Sequence, residues 1–128
     1  MTATERALEL TQLAANAASD KKAEELLALD VSEQLILTDV FLIASGNSER
    51  QVAAIVDAVE ESMYRQSVKL IRREGKGEAR WVLLDFGELI VHVQHQDDRQ
   101  YYALERLWRD CPVIPLVLDD GEPRPGSE

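Results

Sequence analysis

The run from Trp81 to Val93, reading Trp-Val-Leu-Leu-Asp-Phe-Gly-Glu-Leu-Ile-Val-His-Val, constrains the fold more than any other stretch. Side chains alternate along an extended strand, so Trp81, Leu83 and Asp85 share one face while Val82 and Leu84 share the other. The segment from Asp85 to Glu88 supplies turn chemistry. Beyond it Leu89, Val91 and Val93 form a second aliphatic row, opposed by Ile90, His92 and Gln94. The pattern predicts a β-hairpin with its aliphatic side, Leu84 and Val91 included, in the core. Its other side joins an aromatic anchor to an acid and an imidazole. That mixture suits a surface that binds another macromolecule, and Trp81, Leu83, Asp85 and His92 are the candidate site residues, with Arg99 and Tyr102 nearby.

Around the hairpin the periodicities predict an order αββαβββα(β). The spacing Thr2 to Glu5 reads as a capping box opening a first helix. Leu26 to Val31 reads as a strand, and the mostly apolar stretch from Gln34 to Ala44 as a long central strand covered on both faces. Ser48 and Gln51 cap a second helix whose inner stripe is Val52, Ile55, Val56, Val59 and Met63. A third strand is expected at Val68 to Arg72, and a third helix opens at Asp97 and Asp98, where acids favour the helix dipole. Tyr101, Leu104, Leu107 and Trp108 would line its packed face. Val113 to Leu118 is a candidate edge strand interrupted by Pro115. This order makes an α/β (or α+β) single domain, a mixed sheet flanked by helices, over residues 1–118. Residues 119–128 are polar, rich in Pro and Gly, and expected to be disordered.

Catalytic readings find little support in the residues. Ser45-Gly46-Asn47-Ser48 stands at a helix start, where backbone N–H groups could receive a phosphate, but no Asp-x-Asp pair follows on a strand to hold Mg²⁺. A capped turn is the simpler reading. His92 and His95 have a metal-like spacing, yet residues three apart on a strand face opposite sides. Asp85 and His92 would face each other across the hairpin, with no nucleophile placed for them. Cys111 lacks a nearby base and is read as a buried side chain. We expect no catalytic residues, no cofactor and no metal; a nucleotide-binding or nucleotidyltransferase-like enzyme is the alternative.

Three blocks together resemble the ribosomal silencing factor, or Iojap-like, family. The first is Thr38-Asp39-x-Phe41-x-Ile43-Ala44-Ser45-Gly46-Asn47-Ser48-x-Arg50-Gln51-Val52, the second the hairpin itself. The third is Arg99-x-Tyr101-Tyr102-x-Leu104-Glu105-x-Leu107-Trp108. The resemblance implies a nucleotidyltransferase-like fold without enzymatic activity. It also implies a translation repressor that grips the fourteenth ribosomal protein of the large subunit and blocks joining of the small subunit. A homodimer in the free state and a nutrient-limitation trigger are implied in the same way.

Charge agrees with a protein partner. At −10 the chain is repelled by phosphate backbones, so nucleic acid is not expected to be its main ligand. A local basic cluster of Lys69, Arg72, Arg73, Lys76 and Arg80 reads as a solvated loop, with ribosomal RNA contact the lesser alternative. No stretch approaches the roughly 20 apolar residues of a membrane span, and the chain opens without a signal-peptide pattern. A lone cysteine fits a reducing compartment. The expected location is the cytoplasm.

Overall fold

The computed structural model describes residues 3–75, 80–102 and 108–118. Its elements run α1 (Glu5–Asp20), β1 (Glu24–Asp30), β2 (Val40–Gly46), α2 (Glu49–Arg65), β3 (Arg72–Gly75), β4 (Trp81–Asp85), β5 (Leu89–His95), α3 (Gln96–Tyr102) and β6 (Val113–Ile114). The expected order of elements is the observed one. The six strands form one mixed sheet in the order β3-β4-β5-β2-β1-β6. The β2–β5 pair is parallel, from Val40 opposite Leu89 to Gly46 opposite His95, and the remaining pairs are antiparallel.

Alternation divides the sheet into two faces with separate cores. On one, Leu42 and Ala44 of β2, Leu84 of β4 and Leu89, Val91 and Val93 of β5 meet α1 and α2. The α2 stripe Val52, Ile55, Val56, Val59 and Met63 is wholly buried, as its helical spacing predicts. Helix α1 contributes Ala7, Leu10, Ala14, Ala15 and Ala18, mostly small residues that let it lie close. On the other face Leu29, Val31, Phe41, Ile43 and Cys111 form a smaller cluster, with Leu27, Leu35, Trp81, Ile90 and Trp108 partly buried against it. Strand β2 is buried along its whole length because both cores close over it.

Several boundaries differ from the sequence expectation, each for a tertiary reason. The first helix is capped at Thr4, whose Oγ1 accepts from Ala7 N–H at 3.1 Å; Thr2 lies outside the described residues. Thr4 is fixed there because its own N–H reaches Asp39 and its hydroxyl reaches Glu88. Strand β2 begins at Val40, not Gln34. Asp30 turns the chain first, its Oδ1 accepting from Ser32 N–H at 3.0 Å and from the Ser32 hydroxyl at 2.6 Å. Desolvation pushes the Asp30 carboxyl upward, but these bonds and one from Ala3 N–H outweigh it and hold it below its usual value.

The third strand lies at Arg72–Gly75 rather than Val68–Arg72. Val68 and Leu70 pack against the larger core as a connection, and pairing with β4 starts only at Arg72 opposite Asp85. The last strand is two residues long and stops before Pro115, which has no N–H to donate. The expected disordered tail at 119–128, Lys76, and Leu104 and Leu107 lie outside the described residues. No helix among the described residues is long and apolar enough to cross a membrane.

Leu84 and Leu42 are both fully buried against the helices. Replacing either by Ala should lower unfolding free energy by about 2 to 5 kcal/mol, read as a shift of the urea midpoint at constant slope.

Candidate functional site

The hairpin row singled out from the sequence lies on the face opposite α1 and α2. Register sets Trp81 opposite Gln94, Leu83 opposite His92 and Asp85 opposite Ile90. Trp81, Leu83, Asp85 and Ile90 are partly exposed, whereas His92 is 6% and Gln94 0% exposed. The row is therefore half surface and half second core.

His92 is held by aromatic neighbours. The Trp81 indole N–H donates to its Nδ1 at 3.4 Å, and its ring stands edge-on to Phe41 with centroids 4.9 Å apart. Phe41 in turn meets Trp108 edge-on at 5.0 Å, so Trp108 packs against the smaller cluster, from a turn rather than from the described part of α3. Accepting at Nδ1 leaves the ring proton on Nε2, which has no hydrogen-bond partner among the described residues. Burial lowers the His92 pKa to about 4. The neutral ring is a packing and orienting element for Trp81. Trp81 thus serves the fold as well as the surface.

Asp85 has a different task from the one its position suggested. The expectation that it faces His92 is not met, since His92 opposes Leu83. Asp85 Oδ1 accepts from Gly87 N–H at 2.8 Å and closes the hairpin turn, where Gly87 takes a φ of +91°. Its other oxygen lies 3.9 Å from Arg72. Arg99, within α3, is 4% exposed, and its guanidinium donates to Ser45 Oγ at 3.0 Å. Tyr102 closes α3 with its backbone, and its side chain lies outside the described residues.

The helix start at Ser48 is a closed cap. Ser48 Oγ accepts from Gln51 N–H at 3.1 Å, and Gln51 Oε1 accepts from Asn47 N–H at 2.6 Å. The Gln51 amide also donates to the carbonyls of Lys21 and Lys22, tying α2 to the end of α1. A side chain at Gly46 would crowd Val52 at 3.1 Å, so this turn is shaped for close packing. His95 projects from the face opposite His92, its Nδ1 accepting from Asp97 N–H. Among the described residues no group of three or more His, Cys, Asp or Glu could hold a metal ion. Cys111 is buried, and burial raises its pKa away from thiolate formation.

The three arginines of the basic cluster are held in ion pairs. Arg73 meets Glu60 at 3.2 Å, Arg80 meets Asp98 at 2.9 Å, and Arg72 meets Glu74 at 3.1 Å. Two features escape a reading of the sequence. Gln94 is fully buried with neither amide atom hydrogen-bonded among the described residues, and Ile36 and Leu37 stand exposed where a buried strand is expected. The hydrophobic run from Leu35 to Leu37 carries no local sign of turning outward.

His92 predicts an acid-linked loss of stability. Below pH 6.5 the unfolded imidazole takes up a proton that the folded one refuses until about pH 4. Stability should therefore fall through that window, by on the order of 3 kcal/mol from this residue. Urea melts at pH 7 and pH 4.5 should show a smaller acid loss for His92→Gln than for the wild type, since carboxylate titration is common to both.

Comparison with known proteins agrees with this architecture. A family described as ribosomal silencing factor during starvation matches residues 4–127. A ribosomal silencing factor of Halalkalibacterium halodurans is 48% identical over 108 residues, covering 84% of this chain and 92% of that protein. The Bacillus subtilis ribosomal silencing factor is 44% identical, covering 84% and 91% respectively. A crystal structure of a Chromobacterium violaceum protein superposes with a TM-score of 0.77 at 34% identity, covering 80% of this chain and 85% of that one. The chain belongs to the ribosomal silencing factor family.

Proposed function

We propose that this protein silences translation by steric exclusion. It binds the large ribosomal subunit through the fourteenth ribosomal protein, on the surface that the small subunit must meet, and joining fails by overlap. No bond is made or broken, so binding need only compete with subunit association. The protein acts in the cytoplasm and is a homodimer when free.

The observation that carries this reading is the unequal covering of the sheet. Helices α1 and α2 seal one face, while on the other Trp81, Leu83, Asp85 and Ile90 stay partly open above a small cluster. A partly open aromatic and aliphatic patch with an acidic edge suits a basic ribosomal protein better than a phosphate backbone. His92 and Arg99, being buried, would hold this surface in shape, and Trp81, Leu83 and Asp85 would touch the partner. The capped α2 start and the paired arginines give a nucleotide no evident seat among the described residues.

In sucrose gradients the purified protein should travel with isolated large subunits and not with small ones. Added before joining, it should raise the free-subunit fraction. Leu83→Asp should abolish co-migration with an unchanged melting temperature. Equal binding to both subunits, or an unaltered gradient, would rule the proposal out.

Calorimetric titration with ATP, GTP and CTP in the presence of Mg²⁺ should give no heat of binding. A saturable signal lost in Ser48→Ala would favour the nucleotide-binding alternative instead.

A further inference from the structure

Two neighbouring aliphatic side chains before β2 stand almost wholly in solvent, Ile36 at 97% and Leu37 at 84% exposure. Scattered apolar residues are ordinary on a surface, but two large ones side by side form a patch that a partner can cover. The loop presenting them is ordered. Gln34 and Leu35 N–H both donate to Val31 O at 2.9 Å, and Val31 N–H donates to Asp39 O at 2.8 Å, closing the loop at its base. Leu35 roots it by packing into the same cluster that takes in Ile90 and Trp81. Asp39 and Val40 N–H both donate to Glu88 O, which holds the loop against the hairpin turn.

The surroundings are acidic. No lysine or arginine occurs between Lys22 and Arg50, or between Arg80 and Arg99. Glu33 lies within the loop, and Asp39 and Glu88 lie at its base. Asp39 Oδ2 accepts from Thr4 N–H at 3.0 Å and Glu88 Oε1 from the Thr4 hydroxyl at 2.9 Å, neutral donors that leave both charges in place. A second copy of the chain meeting this loop with its own loop would bring the same acids to the contact, which like-charge repulsion opposes there. A basic surface is the complementary one.

We propose that the loop from Ser32 to Thr38 is an insertion element of the docking surface. Ile36 and Leu37 enter an apolar pocket of a basic protein, and Asp39 and Glu88 meet the cations around that pocket. This rests on the reading that the open sheet face docks a ribosomal protein. It extends that surface to the end of β2 remote from Trp81, since Trp81 pairs with Gln94 beside Ser45 whereas the loop enters at Val40.

The test compares the full-length wild type with Ile36→Ser/Leu37→Ser and with Glu88→Gln, by thermal melts and by quantitative co-sedimentation with purified large subunits at low and moderate salt. The apolar double variant should melt like the wild type and bind at least about tenfold more weakly. The charge variant keeps an amide oxygen at position 88 that can still accept from Thr4, and it should bind with a flatter salt dependence. Wild-type-like binding by the apolar variant, with the wild type itself sedimenting, would overturn the insertion proposal and leave the proposed function standing. Failure of the wild type to sediment would remove both. Ultracentrifugation supplies the last outcome: an apolar variant that loses self-association while binding subunits normally would make the loop a contact between copies and overturn the proposal.

Discussion

The parallel pairing of β2 with β5 is the constraint on which the remaining structure hangs. It joins segments about fifty residues apart and runs unbroken from Val40 opposite Leu89 to Gly46 opposite His95. Strands buried on both sides need apolar residues at successive positions, and β2 supplies Val40 to Ala44 without a polar interruption. Once that pair is set, every other choice of face follows by alternation. Val91 and Leu42 must meet the helices, and His92 and Ile43 must meet the smaller cluster. Among the described residues, α3 and the segment around Cys111 cover less of the hairpin face than the two long helices cover on the other side.

What is legible in the sequence is what is encoded locally. The α2 stripe and the β4–β5 alternation are periodic over many residues and constrained by nothing distant, so both can be read to within a residue or two. The start of β2 cannot. Leu35, Ile36 and Leu37 look like strand residues, and only the Asp30 carboxylate binding Ser32 sends the chain outward first. Strand β3 departs from expectation for the reverse reason. Arg72 to Gly75 has no apolar residue and is exposed throughout, and it is a strand only because the β4 edge offers it partners.

The site is legible in composition and less so in geometry. Alternation rightly puts Trp81 and His92 on one face, but pairing depends on turn length, and the observed turn sets His92 against Leu83 rather than Asp85. The indole-to-imidazole bond that couples the aromatic to the cluster is diagonal across the ladder, outside what alternation alone can specify. Burial of Arg99 needs the third dimension, since its neighbours Asp97, Asp98 and Gln100 are all polar.

Thr4 has a consequence beyond capping a helix. Its hydroxyl meets Glu88, its N–H meets Asp39, and its carbonyl accepts from Leu8 N–H, so one residue joins α1, the loop before β2 and the hairpin turn. Sequence distances of 35 and 84 residues are closed at that point. In native-state hydrogen exchange such a junction makes three segments open as one cooperative unit rather than fray separately. The amides of Asp39 and Val40, both bound to the Glu88 carbonyl, would then share one protection factor, set by the grip of the fourth residue of the chain.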